Sequence, residues 1–277
     1  MTYPKPWKYP VVAAQKVIGR LRRALTKIPA GPMIATINGK IQFEHAPLPF
    51  LDMGDLKAML TGSYDIILCD YLKRHLAPGD TMLDVGANVG YISAIAASCV
   101  GENGQVHGFE PLPICFARLE RLKALNPRIK FKFNNVALAE EDGFLPIAYN
   151  PQGDSRNATL VPGKNYAETI QVPVMRLDQY IGANIPKPEK ITLIKIDVEG
   201  YEFPVLKGLS KFFETSKHRP LIVCEIKPWE LKKLGASLSE FDSFMRRYGY
   251  RAHVIPDDHA PINMTSLTDM EVLVFRP

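Results

Sequence analysis

The chain has 277 residues, of which 46% are hydrophobic and 23% are charged, a composition typical of folded globular proteins. Its apolar runs fall short of the roughly 20 residues that span a bilayer, and its four cysteines form no CxxC pair of the kind that binds zinc. The net charge is +5, and its distribution is uneven. The N-terminal 30 residues hold seven cations and no acid: Lys5, Lys8, Lys16, Arg20, Arg22, Arg23 and Lys27. Because the remaining chain therefore carries −2, we expect that its body binds no nucleic acid. The four cysteines are widely scattered, which favours buried free thiols in a reducing cytoplasm, so we expect a cytoplasmic protein.

The N-terminal segment predicts a basic amphipathic helix over residues 11–28, with apolar residues at three- and four-residue spacing. Its apolar face has two candidate partners. One is an anionic membrane surface at the inner face of the membrane; the other, which we favour at this stage, is the protein body or a second subunit in a homodimer. An Asn38-Gly39 turn then predicts a hairpin. We assign residues 1–60 to an N-terminal extension and residues 61–277 to the main domain.

From Thr81 onward, apolar strands alternate with helical patterns, which predicts an α/β fold with a mostly parallel sheet and helices on both faces. The strand candidates are Thr81–Val85, Gln105–Glu110, Lys130–Val136, Ile191–Asp197 and Leu221–Ile226. The helical stretches lie near 89–99, 113–125, 202–213 and 238–247. A short helix is also expected at 64–76, ahead of the first strand. Two late strands, Arg251–Ile255 and Glu271–Phe275, suit an antiparallel pair at the sheet edge. An insertion follows the third strand, with extended segments at Phe144–Tyr149 and Thr169–Met175 around a polar loop.

A glycine-rich turn follows the first of these strands and opens a helix, in the stretch Asp84-Val85-Gly86-Ala87-Asn88-Val89-Gly90-Tyr91. Gly86 permits a tight turn and Gly90 lets the helix pack closely on the sheet. Backbone N–H groups at the helix start can bind a carboxylate or another polar group. The match to the dinucleotide pattern GxGxxG is partial, because Asp84 stands in place of its first glycine. An acid there would repel a pyrophosphate, whereas it suits the sulfonium and amino group of S-adenosylmethionine.

The next two strands carry polar residues at their ends. Glu110, followed by Pro111, lies 20 residues after Gly90, where a carboxylate can accept hydrogen bonds from ribose hydroxyls. The third strand runs into Asn135 and Ala137, which we expect beside the adenine ring. Each signal alone is weak, since a glycine turn is often only a tight connection. Their occurrence in order on consecutive strand–helix units favours a cofactor site over a structural explanation.

The same segments resemble the FkbM-type family of S-adenosylmethionine-dependent methyltransferases, over about residues 60–230. The matching stretches are Pro78-Gly79-Asp80-Thr81-Met82-Leu83-Asp84-Val85-Gly86-Ala87-Asn88, Gly108-Phe109-Glu110-Pro111, Asn135-Val136-Ala137-Leu138, Leu177-Asp178, Ile194-Lys195-Ile196-Asp197-Val198-Glu199-Gly200-Tyr201-Glu202, Leu206-Lys207-Gly208 and Glu225. The resemblance implies a Rossmann-like fold with a seven-stranded sheet, S-adenosylmethionine as the methyl donor, and O-methylation of an acceptor such as a sugar, a glycolipid or a small natural product.

The candidate catalytic residues are Asp197, Glu199 and Glu225, which fall at or near the ends of the fourth and fifth strands, where an open parallel sheet binds its ligand. Asp197 would also face the cofactor. One of these acids could take the proton from an acceptor hydroxyl. Alternatively, Asp197 and Glu225 could share a divalent cation that lowers the hydroxyl pKa. We interpret Glu202 as a helix cap, and we expect Lys195 to pair with an acid such as Asp178 or to reach the rim.

Polar residues of the insertion are candidates for acceptor binding, although polar loops are often merely solvated. They are Tyr149, Asn150, Asp154, Ser155, Arg156 and Asn157. Three other functions remain open from the sequence. An RNA methyltransferase is disfavoured by the charge of −2 outside the N-terminal segment, and a nicotinamide-dependent oxidoreductase by Asp84 in the glycine turn. A non-catalytic S-adenosylmethionine-binding module is weakly disfavoured, because Asp84, Gly86, Gly90, Glu110 and Asp197 are all intact.

Overall fold

The computed structural model describes residues 10–28, 30–151, 158–162, 168–255 and 260–277. The N-terminal part begins with helix α1 (Pro10–Leu25) and continues with strands β1 (Met33–Ile37) and β2 (Ile41–His45) and helices α2 (Met53–Leu60) and α3 (Ile66–His75). The predicted hairpin is confirmed, because β1 and β2 pair antiparallel and both turn residues, Asn38 and Gly39, have positive φ. Asp52 and Asp65 cap α2 and α3 by accepting backbone N–H groups of their first turns.

Helix α1 contacts the protein body through its polar side and not through its apolar face. The helix contacts α2 and α3, and Gly19 is buried there, with an added Cβ only 2.9 Å from the Ser63 Cβ. Arg23 donates a hydrogen bond of 2.9 Å to the Ser63 hydroxyl. The apolar side chains of Val17 and Leu21 are instead exposed. Docking of the apolar face on the protein body is therefore wrong.

The central sheet has seven strands in the order β11-β12-β10-β9-β3-β4-β5. Their bounds are β3 Thr81–Val85, β4 Gln105–Phe109, β5 Lys130–Asn134, β9 Ile191–Ile196, β10 Leu221–Ile226, β11 Arg251–Val254 and β12 Glu271–Arg276. The five strands from β5 to β10 run parallel, while β12 is antiparallel to both β10 and β11. The predicted mostly parallel sheet with a late antiparallel pair at its edge is confirmed. The parallel strands bring the ends of β3, β4, β9 and β10 to one edge.

Helices cover both faces of the sheet, as predicted, because these strands are buried on both sides. The helices are α4 Tyr91–Val100, α5 Pro113–Leu125, α6 Leu177–Asn184, α7 Glu202–Lys207, α8 Ser210–Thr215, α9 Pro228–Lys233 and α10 Leu238–Arg247. The single helix expected over 202–213 is two helices, α7 and α8. The chain breaks at Gly208, which approaches the backbone so closely that a Cβ would lie 2.3 Å from the Ala139 carbonyl oxygen.

Alternate strand residues form two hydrophobic cores, one on each face of the sheet. Met82 faces the core covered by α3, α4 and α5, and Leu83 faces the core covered by α6, α7, α8 and α10. Phe43 of the hairpin and Phe50 belong to the first core. Residues 33–60, which we assigned to the extension, thus share a core with the sheet.

The insertion forms a small second sheet in the order β6-β8-β7, with β6 at Ala137–Leu138, β7 at Gly143–Tyr149 and β8 at Glu168–Met175. The two extended segments expected there are confirmed as an antiparallel pair. Ala148 also forms a bridge with Thr159, which brings residues 158–160 back beside the sheet. In the part of the chain that the structure describes, no helix is long and apolar enough to cross a membrane.

Candidate active site

The glycine-rich turn forms one wall of a cavity at the carboxyl edge of the sheet. Gly86 has φ +76°, and a Cβ there would lie 1.9 Å from the Asp197 carbonyl oxygen, so only glycine lets the ends of β3 and β9 approach so closely. Ala87 and Asn88 line the same wall. Gly90 has a different role from the one predicted, because its Cβ would meet Leu119 of α5 at 2.8 Å and not the sheet.

Glu110 follows β4 and lines the cavity beside this turn. Its two carboxylate oxygens accept backbone N–H bonds from Asn88 at 2.8 Å and from Leu112 at 2.9 Å. Burial raises the pKa of Glu110 to about 7, opposed by these two hydrogen bonds. A carboxylate has about four acceptor positions, so Glu110 keeps capacity for further donors such as ribose hydroxyls. Glu110 thus lines the cavity beside the glycine turn, and its role toward a ribose stays a prediction.

One of the residues predicted at the adenine ring, Asn135, lies elsewhere than expected. Asn135 is exposed, and its side-chain amide donates to the carbonyl oxygens of Glu110 at 2.8 Å and Pro111 at 3.0 Å. It therefore braces the loop after β4 and does not face the cavity. Ala137 does line the cavity, together with its neighbours Val136 and Leu138, so the predicted adenine side has an apolar wall. Pro111 and Tyr91 also line it.

Asp84 was expected to face a cationic ligand, but its side chain is fully buried behind the turn. Its carboxylate accepts a hydrogen bond of 2.6 Å from Ser93 and lies 3.3 Å from the Lys195 ammonium. Lys195 in turn donates to the Gly86 carbonyl oxygen at 2.8 Å. The buried pair of Asp84 and Lys195 therefore holds the glycine turn in place. The expectation that Lys195 pairs with an acid is confirmed, but the acid is Asp84 and not Asp178, which pairs with Arg176 at 2.6 Å.

The three candidate catalytic acids meet at the far wall of the cavity. Carboxylate oxygens of Asp197, Glu199 and Glu225 lie within 4.8 Å of one another. Asp197 follows β9, Glu225 lies one residue before the end of β10, and Glu199 occupies the turn between β9 and α7. Glu199 has φ +57°, a conformation that is uncommon for residues other than glycine and is often found at functional sites. Glu202 caps this turn, as predicted, by accepting the N–H groups of Val198 and Gly200.

Lys227, which was not among the residues predicted from the sequence, lies between two of these acids. Its ammonium nitrogen is 2.5 Å from Glu199 Oε2 and 2.6 Å from Glu225 Oε2. The spacing in the sequence could have indicated it, because Lys227 stands two residues after Glu225 and residues two apart on an extended strand share a face. A cation in that position is directed toward the same cavity as the acid.

Burial and crowding of like charges shift the ionisation of this cluster. Burial, followed by the nearby charge of Asp197, raises the pKa of Glu225 to about 8, although Lys227 opposes the shift. Burial lowers the pKa of Lys227, but Glu199 and Glu225 outweigh that effect and raise it above its usual range. With Asp84 and Lys195 included, four carboxyl groups face two ammonium groups. The fully ionised cluster therefore carries −2, which suits a cationic ligand.

The insertion forms the roof of the cavity through Ile147 and residues 158–160. Thr159 donates from its hydroxyl to the Glu199 carbonyl oxygen at 2.9 Å, which joins the roof to the acidic wall. Of the predicted acceptor-binding residues, Tyr149 and Asn150 are described, and Tyr149 donates to Glu168 at 3.0 Å. The others lie outside the described residues: Asp154, Ser155, Arg156 and Asn157.

A mostly parallel seven-stranded sheet with a glycine turn after β3 and an acid after β4 defines the class of Rossmann-like, S-adenosylmethionine-binding methyltransferase folds. Residues 84–252 match the model of the methyltransferase FkbM domain. That match covers more than half of the chain, so the chain belongs to the FkbM methyltransferase family. The family expected from the sequence is confirmed.

Three relatives illustrate the range of similarity. The chain is 32% identical over 158 residues to "Methyltransferase sdnD" of Sordaria araneosa, covering 47% of this chain and 60% of that protein. It is 28% identical over 210 residues to "31-O-demethyl-FK506 methyltransferase FkbM" of Streptomyces tacrolimicus, covering 65% and 76%. It is 27% identical over 157 residues to "Hexuronic acid methyltransferase AglP" of Haloferax volcanii, covering 56% and 60%. The matched segment thus spans about 60% of the length of sdnD and of AglP.

Among solved structures, Aeropyrum pernix fibrillarin in complex with S-adenosyl-L-methionine has a TM-score of 0.40 and 12% identity, covering 92% of this chain and 86% of that one. The structure of M. jannaschii TYW2 in complex with AdoMet has a TM-score of 0.42 and 12% identity, covering 90% of this chain and 86% of that one.

Proposed function

We propose that this protein transfers the methyl group of S-adenosylmethionine to a hydroxyl group of a sugar, a glycolipid or a small natural product. The observation that carries the proposal is the acidic wall of the cavity, where Glu225, Glu199 and Asp197 meet Lys227 opposite the glycine turn. Hydroxyls are poor nucleophiles at neutral pH, so their methylation needs a group that accepts a proton.

The residues around the turn fit S-adenosylmethionine. Glu110 offers a carboxylate for ribose hydroxyls, and Val136 and Leu138 give an apolar wall for an adenine ring. Ala87 lines the part of the cavity at the start of α4. Backbone N–H groups at the start of a helix favour an anion, so we place the carboxylate of the cofactor there. The net negative charge of the opposite wall favours a sulfonium. When bound, the cofactor supplies an electrophilic methyl group.

Glu225 is the proton acceptor that the geometry supports best. It lines the cavity, and its pKa of about 8 lies close to the pH at which a general base is most effective. Lys227 holds its carboxylate in place and stabilises its ionised form. Asp197 lies 3.8 Å from Lys195 and on the side of the glycine turn, which suits a role in orienting cofactor and acceptor.

The acidic cluster does not fit the divalent cation that the sequence left open. Asp197 and Glu225 were its proposed ligands, but the Lys227 ammonium already contacts Glu225 at 2.6 Å and Glu199 at 2.5 Å. A second cation among the same oxygens would have to displace or repel it. We therefore propose that Lys227 supplies the positive charge of the site, and that turnover survives dialysis against EDTA. Turnover lost on dialysis and restored by Mg²⁺ would contradict this.

The test is a transfer assay with radiolabelled S-adenosylmethionine and a panel of uronic acids, neutral sugars, glycolipids and hydroxylated macrocycles. The names of AglP and FkbM, which refer to a hexuronic acid and to FK506, suggest the first and last members of the panel. We expect label on an acceptor oxygen, located by mass spectrometry and NMR, and its loss in Glu225→Gln with cofactor binding retained. Label in RNA or on nitrogen would contradict the proposal, and cofactor binding without transfer to any acceptor would favour the non-catalytic module.

A further inference from the structure

The helix α1 presents an apolar face to solvent. Four large apolar side chains of this helix are exposed, at 53% for Val17, 49% for Ile18, 61% for Leu21 and 85% for Leu25. A helix turns about 100° per residue, which places these four residues within one quadrant or slightly more. Contiguous exposed apolar surface of this kind marks an interaction site more often than scattered single residues do.

The opposite side of α1 is already occupied. Gly19 is buried against Ser63, and Arg23 donates to the Ser63 hydroxyl at 2.9 Å. By the same helical geometry, Gly19 and Arg23 lie roughly half a turn away from the centre of the apolar face. The helix therefore docks on the protein through a small residue and a polar contact, while it directs its hydrophobic side chains outward. A helix that contributed only to folding would have the reverse orientation.

Charge identifies the occupant of this face. Arg20 and Arg22 flank it on its two sides and are exposed, and the N-terminal 30 residues carry seven cations and no acid. A second copy of this chain docking through the same face would bring two such segments together, and their like charges would repel. An apolar face bordered by arginines instead matches the acyl chains and negative headgroups of an anionic bilayer.

We propose that α1 is a peripheral membrane-docking helix that binds anionic lipid surfaces through Val17, Ile18, Leu21 and Leu25, with Arg20 and Arg22 at the headgroups. The residue that α1 contacts, Ser63, immediately precedes Tyr64 and Asp65, which line the cavity. Binding through α1 would thus attach the protein to the lipid surface next to a segment that forms part of the cavity wall. This inference stands independently of the reaction proposed above.

The test is sedimentation of the full-length protein with vesicles of phosphatidylcholine alone, or with about one third phosphatidylglycerol. We expect binding to the anionic vesicles only, weakened by high salt because exposed charges are screened. Leu21→Ser with Leu25→Ser should reduce binding at least tenfold, and Arg20→Gln with Arg22→Gln should also reduce it. A matched control is Phe144→Ser, since Phe144 is 71% exposed but lies in β7; it should bind as the unmodified protein does.

Three results would overturn the proposal. The first is absence of binding to anionic vesicles, and the second is binding that the Leu21→Ser, Leu25→Ser protein retains in full. The third is a dimer in light scattering that this double variant converts to monomer, which would assign the face to a second copy. Circular dichroism and thermal unfolding of each variant establish that it is folded, and α1 contacts the body through Gly19 and Arg23, which these substitutions leave in place.

Discussion

Replacing Lys227 with methionine should shift the pH dependence of methyl transfer to higher pH. Lys227 lies 2.6 Å from Glu225 and stabilises its ionised form, so its removal raises the pKa of Glu225 further above its present value of about 8. The direct attraction at that distance is about 6 kcal/mol at an effective dielectric constant of about 20. Relaxation and solvent reduce this, and loss of a nearby opposite charge typically moves a carboxyl pKa by about 1–3 units.

The expected size of the effect follows from the fraction of Glu225 that is ionised. With a pKa of about 8, about one tenth of the protein carries the active base at pH 7, about half carries it at pH 8, and activity levels off only above about pH 9. A further shift of about one to two units lowers activity at pH 7 by about 10- to 100-fold, since each unit is a tenfold change. Much of the activity should return at pH 10, where the carboxyl group ionises again.

The assay is kcat/KM for methyl transfer between pH 6 and 10, measured for the unmodified protein, Lys227→Met and a control. Lys232→Met is the control, because Lys232 is exposed in α9, the helix that begins directly after Lys227, and does not line the cavity. Its profile should match that of the unmodified protein. A Lys227→Met protein that is folded and binds S-adenosylmethionine, but loses activity equally at every pH, would refute the reasoning.

Three further predictions concern the cofactor side of the cavity. Gly86→Ala should destabilise the fold by several kcal/mol, seen as a lower Tm, because its Cβ would lie 1.9 Å from the Asp197 carbonyl oxygen at a φ of +76°; an unchanged Tm would contradict that contact. Glu110→Gln should weaken S-adenosylmethionine binding about tenfold in calorimetry, since it loses the charge that binds ribose hydroxyls, and equal affinity would remove Glu110 from the site. Lys195→Met should lower the free energy of unfolding by about 3–5 kcal/mol in urea, because it leaves Asp84 buried without its cation; a change below about 1 kcal/mol would contradict this.

The sequence predicted the elements whose signals are local. The strands at Thr81–Val85 and Leu221–Ile226 and helix α5 have the expected bounds, because a buried parallel strand or a periodic helix is legible from its own residues. The Asn38-Gly39 hairpin was legible for the same reason. The split at Gly208 was not, since it depends on how closely the chain approaches Ala139, which is distant in sequence.

The candidate site was predictable in its residue types but not in its pairings. Glu110 and the acids after β9 and in β10 do line one cavity, while the roles predicted for them stay predictions. Asp84 and Asn135 were recognised as important but given direct contact with the cofactor, whereas they hold the turn and the following loop. The order of residues in the sequence does not show which side chains at the end of a strand face the ligand. It also does not show that Lys195 on β9 pairs with Asp84 on the neighbouring strand β3.

Docking of the apolar face of α1 on the protein body was the clearest error, and its cause is general. An amphipathic pattern shows that a helix has an apolar face, but it does not show what that face contacts. The contact between Gly19 and Ser63 sets the orientation of α1. Because both residues are small, this side of the helix approaches the protein closely, and Leu21 and Leu25 on the other side face solvent.

The central claim is that the cavity binds S-adenosylmethionine, and isothermal titration of the purified protein with S-adenosylmethionine and, separately, with NADH tests it most directly. We predict micromolar binding of S-adenosylmethionine alone, abolished or strongly weakened in Glu110→Ala. A folded protein, free of carried-over ligand, that binds NADH and not S-adenosylmethionine would contradict the assignment of the glycine turn and of the acidic wall.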